Sequence, residues 1–214
     1  MTSRPLARRT LLATAAGLVV APFVATGTAH AAVPRIYIDP GHGGTDPGAV
    51  GNGLQEKNVT LNIALQVRNI LNSTFGTRVV VRMSRTTDIT RSLQFRTDDA
   101  NAWGANIFIS IHINAGGGTG FESYRYPTVG STTLRLHDLM HANVLAGMRT
   151  VASVTDRGKK TANFHVLRET VMPAILTENL FIDTVADANK LKNAAFITAT
   201  ARGHVNGIAR FFGL

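Results

Sequence analysis

Four side chains that can bind a metal ion or transfer a proton lie next to the ends of apolar segments. His42 follows "IYIDP" after one glycine, His112 ends "NIFISIH", and Glu178 ends "PAILTE". Glu56 lies beyond the first of these segments and opens a stretch with helical spacing. Because ligands of open α/β sheets gather at the carboxyl ends of the strands, we expect the four side chains to converge at that edge.

Two imidazoles and one carboxylate form the ligand set of a catalytic zinc site, which leaves a fourth position for water. Glycines at positions 41, 43 and 44 surround His42. They allow a sharp turn and a close approach of the backbone to a metal, because glycine has no Cβ atom. A lone histidine after a strand is more often a packed or surface residue. It is the joint placement of the four side chains that predicts a metal centre.

The elements that position these side chains alternate between strand and helix patterns. The strands are predicted at 35–39, 78–83, 106–112, 121–126 and 174–178. The helices are predicted at 59–71, 92–105 and 132–151, with a last helix capped by Asn193. This alternation predicts an α/β fold with a mostly parallel sheet. A short Gly-rich segment joins the third and fourth strands, which favours a hairpin and therefore a mixed sheet.

Four blocks in the same order resemble a known family: "IYIDPGHGGTDPGA", "EKNVTLNIALQV", "RSLQFRTDDANAWGANIFISIHINA" and "FHVLRETVMPAILTENLFID". They are similar to the signature blocks of the zinc-dependent N-acetylmuramoyl-L-alanine amidases, from about Arg35 to Leu214. The resemblance implies a single α/β domain with a twisted, mixed sheet of about six strands flanked by helices. It also implies one zinc ion per chain, with bacterial peptidoglycan as the partner. The bond cleaved would be the amide between N-acetylmuramic acid and L-alanine of the stem peptide.

Matched position by position, the resemblance implies zinc ligands at His42, Glu56 and His112 and a catalytic glutamate at Glu178. The family usually has a glycine-containing segment after this glutamate, whereas this chain has "NLFID". We therefore expect a changed cleft wall around Asn179 and Leu180.

Two further polar residues are weaker candidates for the site. Asp39 can orient a zinc-binding imidazole, as carboxylates in metal sites often do, or it can cap the following loop. Asn114 lies two residues beyond His112 and shares its side of an extended segment. It can hydrogen-bond the substrate, or it can serve only the structure of its loop.

The remaining histidines are competing candidates. The stretch "HDLMH", from His137 to His141, is similar to the HExxH metallopeptidase helix with Asp in place of Glu. No convincing third ligand follows nearby, so a solvated helix face is favoured. His204 shares the apolar stripe of the last helix and is expected to be packed. His165, in "NFHVL", could line the cleft.

The first 31 residues predict an export signal, which leaves 32–214 as the catalytic domain. Arg4, Arg8 and Arg9 form a basic region, "LLATAAGLVVAPFVATG" is a weakly hydrophobic core, and "AHA" is a small-residue cleavage site. The paired arginines before two leucines favour the twin-arginine route, with general secretion as the alternative. We expect an extracellular or wall-associated protein without a stable membrane anchor after cleavage.

Charge and cysteine content restrict the partners. The net charge is +9, and without the three arginines of the signal it is +6. Exported basic proteins meet anionic surfaces, so we expect contacts with anionic wall polymers. Nucleic acid is disfavoured, because no run of Lys or Arg exceeds two residues and Trp103 is the only tryptophan. The chain has no cysteine, so its stability must come from its core or from a metal.

Two other functions remain open. A wall-binding or signalling module could keep the fold without turnover, but it would typically lack one of the four site residues. A zinc hydrolase could instead cut a peptide bond within the stem. The complete set of four favours an enzyme.

The export signal yields a first prediction. Replacing Arg8 and Arg9 with lysines should block export by the twin-arginine route, because that signal depends on adjacent arginines. Immunoblots of the culture medium and the cells would measure the exported fraction. Unchanged export of the double variant would instead support general secretion.

Overall fold

The computed structural model describes residues 1–2 and 32–214. Apart from its first two residues, the predicted export signal lies outside the described residues. The segment Ala32–Leu214 packs as one unit. Within the described part of the chain, no helix is both long enough and apolar enough to cross a membrane.

Strands and helices alternate along this unit. The described strands are β1 (Arg35–Pro40), β2 (Val50–Gly51), β3 (Leu54–Gln55), β4 (Val80–Met83), β5 (Ile107–Asn114), β6 (Phe121–Arg125), β7 (Asp156–Thr161) and β8 (Ala174–Phe181). The α-helices are α1 (Glu56–Phe75), α2 (Leu93–Trp103), α3 (Ser131–Arg149), α4 (His165–Arg168), α5 (Val185–Leu191) and α6 (Ala194–Phe212). All five predicted strands and all four predicted helices are present.

Side-chain caps help to fix two of these helices. The Ser92 hydroxyl accepts a hydrogen bond from the backbone N–H of Phe95 at the start of α2, at 3.0 Å. The Asn193 side chain accepts from the N–H groups of Ala195 and Phe196 at the start of α6, which confirms the predicted cap.

Six strands form one sheet in the order β4-β1-β5-β8-β6-β7, and β2 pairs with β3 separately. Every neighbouring pair in the large sheet is parallel except β6 and β8, so the prediction of a mixed, mostly parallel sheet is confirmed. The predicted hairpin between β5 and β6 is wrong, because β8 lies between them. β8 is buried along nearly its whole length, as expected for a central strand with both faces covered.

Strand β7 was not predicted from the sequence. Its residues, "DRGKKT", are polar and mostly exposed, and the strand lies at the edge of the sheet. Edge strands often carry charged residues, which discourage pairing with other chains. Such a strand has no apolar alternation, so its sequence pattern is that of a loop.

The two faces of the sheet bury different residues because side chains alternate along each strand. Ile36 and Ile38 of β1 pack in the larger core with helices α1, α3 and α6. Tyr37 points to the other face and packs with Phe108, Leu176 and residues of α2 and α4. His112 and Glu178 lie an even number of residues from Phe108 and Leu176, so they share the α2 and α4 face.

The backbone of β8 is irregular directly after Glu178. His112 pairs with Glu178, but Asn114 pairs with Phe181, so β8 has one extra residue in this interval. This is a β-bulge. Leu180 lies within it with φ at 74°, a left-handed conformation that favours glycine. Leu180 is fully buried in the larger core, and neither it nor Asn179 lines the cleft, so the expectation of a changed cleft wall is wrong.

The conformation of Leu180 yields a stability prediction. Leu180→Ala and Leu180→Gly both remove the packed side chain, at a cost of about 2–5 kcal/mol. In an ordinary strand the glycine variant would be the less stable of the two. Here we expect it to be the more stable by about 1 kcal/mol, because only alanine keeps the left-handed strain. Urea unfolding of both variants measures this difference. A more stable alanine variant would contradict the assigned backbone constraint.

Candidate active site

Three side chains with metal-ligand chemistry meet at the carboxyl end of the central strands. His42 lies in the loop after β1, Glu56 is the first residue of α1, and His112 lies near the end of β5. The Glu56 carboxylate lies 3.1 Å from His42 Nε2 and 3.0 Å from His112 Nδ1. One ligand atom from each residue lies within 4.8 Å of the others. The structure therefore brings together the three residues that the sequence predicted as ligands.

Glycine is required where the backbone passes closest to these side chains. A Cβ atom at Gly41 would lie 2.3 Å from the His112 ring. At Gly48 it would lie 2.6 Å from both the Glu56 carboxylate and the His42 ring. His42 itself has φ at 60°, an uncommon conformation for a residue other than glycine. Strained backbone of this kind concentrates at functional sites.

The three side chains fit a zinc ion by their chemistry. Two imidazole nitrogens and one carboxylate match a catalytic ligand set that keeps a position open. Burial alone would raise the pKa of Glu56, but hydrogen bonds and charge from His112 and His42 outweigh it and lower the pKa. Glu56 therefore stays ionised, as a metal ligand must.

Glu178 lies beside this group with a different environment. It pairs with His112 across β5 and β8 and with Glu122 across β6 and β8. Its Oε2 atom is buried and has no hydrogen-bond partner among the described residues. Burial raises its pKa well above the ordinary value, and the charges of Glu56 and Glu122 raise it further. A carboxyl group with a raised pKa binds a proton more readily, as a group that acts in acid–base chemistry must.

The carboxylate that contacts an imidazole from outside the group is Asp46, not Asp39. Asp46 Oδ2 lies 2.8 Å from His42 Nδ1, so it can orient the ring. Asp39 pairs with Ser110, one layer below His112, and neither imidazole is among its hydrogen-bond partners in the described chain. The predicted role of Asp39 as an imidazole partner is therefore not met. His42 and Asp46 are four positions apart, and this proximity in the sequence is the signal for the contact.

Two buried arginines hold the loop that carries His42, and the sequence did not reveal them. Arg85 donates to the carbonyl oxygens of Pro40 and Gly41, at 3.1 and 2.8 Å. Arg96 donates to the carbonyl oxygen of His42 at 2.8 Å and forms an ion pair with Asp39. Burial raises the pKa of Asp39, but Arg96 outweighs it and the pKa is lowered. Asp39 thus acts on the site through Arg96.

Asn114 contacts Glu122 rather than the centre of the cleft. Its Nδ2 donates to Glu122 Oε1 at 2.7 Å. Glu122 also accepts from Tyr124, Arg157 and Lys160. Although burial raises the pKa of Glu122, these donors hold it at about 2. Substrate binding by Asn114 stays a prediction.

The histidines of "HDLMH" are buried, so the expected solvated helix face is wrong. Both rings lie within 2.8 Å of the Ser123 hydroxyl on β6, and His141 also contacts Asp156. They form a polar network beneath α3, away from the cleft. His204 is fully buried between Thr177 and the Thr200 carbonyl, as predicted.

A cleft of about 470 Å³ opens beside three of the four site residues, a volume typical of ligand pockets. Its floor contains His42, His112 and Glu178. One wall comes from the start of α2, including Leu93, and the other from the start of α4, including His165. The expectation that His165 lines the cleft is confirmed.

Comparisons with known proteins agree with this geometry. Residues 36–210 match the family model described as N-acetylmuramoyl-L-alanine amidase. The chain is 59% identical over 180 residues to the N-acetylmuramoyl-L-alanine amidase CwlM of Bacillus licheniformis, which covers 84% of this chain and 69% of that protein. It is 58% identical to the sporulation-specific N-acetylmuramoyl-L-alanine amidase of Bacillus subtilis strain 168, with the same coverage.

Solved structures show the same fold. The catalytic domain of CwlV from Bacillus (Paenibacillus) polymyxa var. colistinus superposes with a TM-score of 0.78 at 32% identity, covering 84% of this chain and 98% of that chain. The N-acetylmuramoyl-L-alanine amidase from Clostridium difficile 630 gives a TM-score of 0.79 at 32% identity, covering 85% and 97%. The family model spans most of this chain, and the chain belongs to the N-acetylmuramoyl-L-alanine amidase family.

Proposed function

We propose that the protein is a zinc-dependent peptidoglycan hydrolase that cleaves the amide bond between N-acetylmuramic acid and L-alanine. One observation carries the proposal: His42 and His112, which form a group with Glu56, line the same cleft as Glu178, whose Oε2 atom has no hydrogen-bond partner among the described residues. Family membership agrees with the reaction. The metal and the residue roles are inferred from the donor chemistry.

A bound zinc ion would supply Lewis-acid polarisation of the scissile carbonyl and activation of water. His42, Glu56 and His112 would hold it, with Asp46 orienting the His42 ring. Glu178 takes a proton from the attacking water and returns it to the leaving nitrogen. This second transfer is needed because an unprotonated amide nitrogen is a poor leaving group. The raised pKa of Glu178 favours the first transfer, in which its carboxylate takes the proton from water.

The cellular setting is part of the same proposal. The predicted export signal would carry the enzyme to the wall, where its peptidoglycan substrate lies. The positive charge of the segment 32–214 would favour anionic wall polymers, by an attraction that weakens with salt because the Debye length is about 10 Å at 0.1 M.

Product analysis after metal removal tests the function directly. Digestion of peptidoglycan should release amino groups of L-alanine and leave the glycan strands intact. A chelator should abolish the release, and added zinc should restore it, because the ligand set fits that ion. New reducing sugar ends would indicate a glycosidase, and free amines on other residues an endopeptidase. Full activity in the chelator would refute the proposed dependence on a metal ion.

Glu178→Gln tests the role of the glutamate separately. The amide keeps the shape but cannot accept the proton, so we expect a loss of activity of at least about a hundredfold. Zinc content should be unchanged, because Glu178 is outside the ligand group. Glu169→Gln is a suitable control, since Glu169 is exposed and pairs with Arg168. Normal turnover by the Glu178 variant would exclude it as the base.

A further inference from the structure

Buried polar side-chain atoms in proteins nearly always have a hydrogen-bond partner. In the described part of this chain, three such atoms have none: His165 Nε2, Glu178 Oε2 and Asn179 Oδ1. Asn179 does not line the cleft, and its other amide atom bonds the carbonyl oxygen of His112 at 3.0 Å. His165 and Glu178 both line the cleft. In the described part of the chain, two residues of one cleft thus each have a buried polar atom without a partner, and a bound ligand can supply the missing hydrogen bonds.

We propose that His165 Nε2 hydrogen-bonds an amide group of the wall glycopeptide bound in the cleft. The proposal rests on the proposed function. The substrate has amide oxygens and N–H groups both in its N-acetyl substituent and in its stem peptide. A neutral imidazole nitrogen can donate or accept, depending on its tautomer, and so can pair with either. His165 is then a second polar contact to the substrate, beside Glu178.

The backbone around His165 is held firmly, as a binding residue requires. His165 is the first residue of α4, and the next two residues, Val166 and Leu167, are buried in the smaller core. The Asn101 side chain on α2 donates to the carbonyl oxygen of Glu169 at 2.8 Å and accepts from the N–H of Val171 at 3.0 Å. Asn101 thereby connects α2, which forms one wall of the cleft, to the segment that follows α4, which forms the other wall.

Several apolar side chains line the cleft together with His165. Phe164, Val166 and Leu176 line the cleft with it, and Leu93 lies in the wall contributed by α2. Burial of a polar nitrogen without a hydrogen bond is costly, so a partner supplied by the substrate would stabilise the complex. Few polar atoms among apolar walls are also the usual composition of a ligand site. Phe164 and Leu93 are themselves exposed at 39% and 55%, so apolar surface of the cleft is open to a substrate.

Three substitutions at His165 separate binding from structure. The glutamine amide reaches the position of Nε2, the asparagine amide reaches only that of Nδ1, and leucine has neither group. We expect His165→Leu and His165→Asn to lower kcat/KM about 10- to 100-fold, as for loss of one buried hydrogen bond. His165→Gln should stay within about threefold of the parent protein. Disaccharide-peptide fragments of peptidoglycan serve as the substrate, and released L-alanine amino groups are measured.

Binding is measured independently of turnover in the Glu178→Gln background. Calorimetric titration with the same fragments should show a Kd raised about 10-fold or more by His165→Leu and restored by His165→Gln. Zinc content and thermal unfolding should match the parent. Arg168→Gln, an exposed substitution on the same helix, is the matched control and should change neither kcat/KM nor Kd.

The outcomes distinguish this inference from the proposed function. If the parent protein releases L-alanine amino groups and His165→Leu does so equally well, the role of His165 is refuted and the function stands. Equal recovery by His165→Asn and His165→Gln would also refute it, because Nε2 would not be the contact. If the parent releases no such groups, both proposals fall.

Discussion

The site depends on one carboxylate that lies between two imidazoles. Glu56 has one oxygen near His42 and the other near His112, and Oε1 also accepts from the N–H of Ile113. These residues come from a loop, a helix start and a strand end, which are far apart in the sequence. Their contact therefore requires the parallel packing of β1 beside β5, with α1 returning over the sheet. The ionised state of Glu56 follows from the same geometry, because its contacts outweigh its burial.

The loop that carries His42 has several backbone carbonyl oxygens that accept hydrogen bonds from side chains. Its backbone turns through a left-handed residue, so its carbonyl oxygens do not enter a regular ladder. Arg85 and Arg96 supply the donors for three of these carbonyl oxygens. Asp39 compensates the charge of Arg96 inside the protein. A buried charge network thus fixes His42 through its backbone carbonyl oxygen and not through its ring.

The two glutamates of the cleft have opposite electrostatic environments. Glu56 is surrounded by donors and has a lowered pKa, whereas Glu178 has a raised pKa and a buried Oε2 atom with no partner in the described part of the chain. Divergence of this kind separates a permanently charged group from one that exchanges protons. The position of β8 between β5 and β6 adds to this difference, because Glu178 then lies beside Glu122, whose charge adds to the effect of burial.

Local sequence determined the residue types of the site, the apolar faces and most of the strands and helices, including Glu56 at the start of α1. These features follow from local sequence because periodicity, capping residues and glycine content set the backbone conformation of neighbouring residues. Only the tertiary structure decided that β8 separates β5 from β6, that Asp46 rather than Asp39 meets His42, and that the two histidines of α3 are buried. Strand order and the partners of buried polar groups depend on contacts between distant segments, and a polar edge strand such as β7 has no apolar pattern to reveal it.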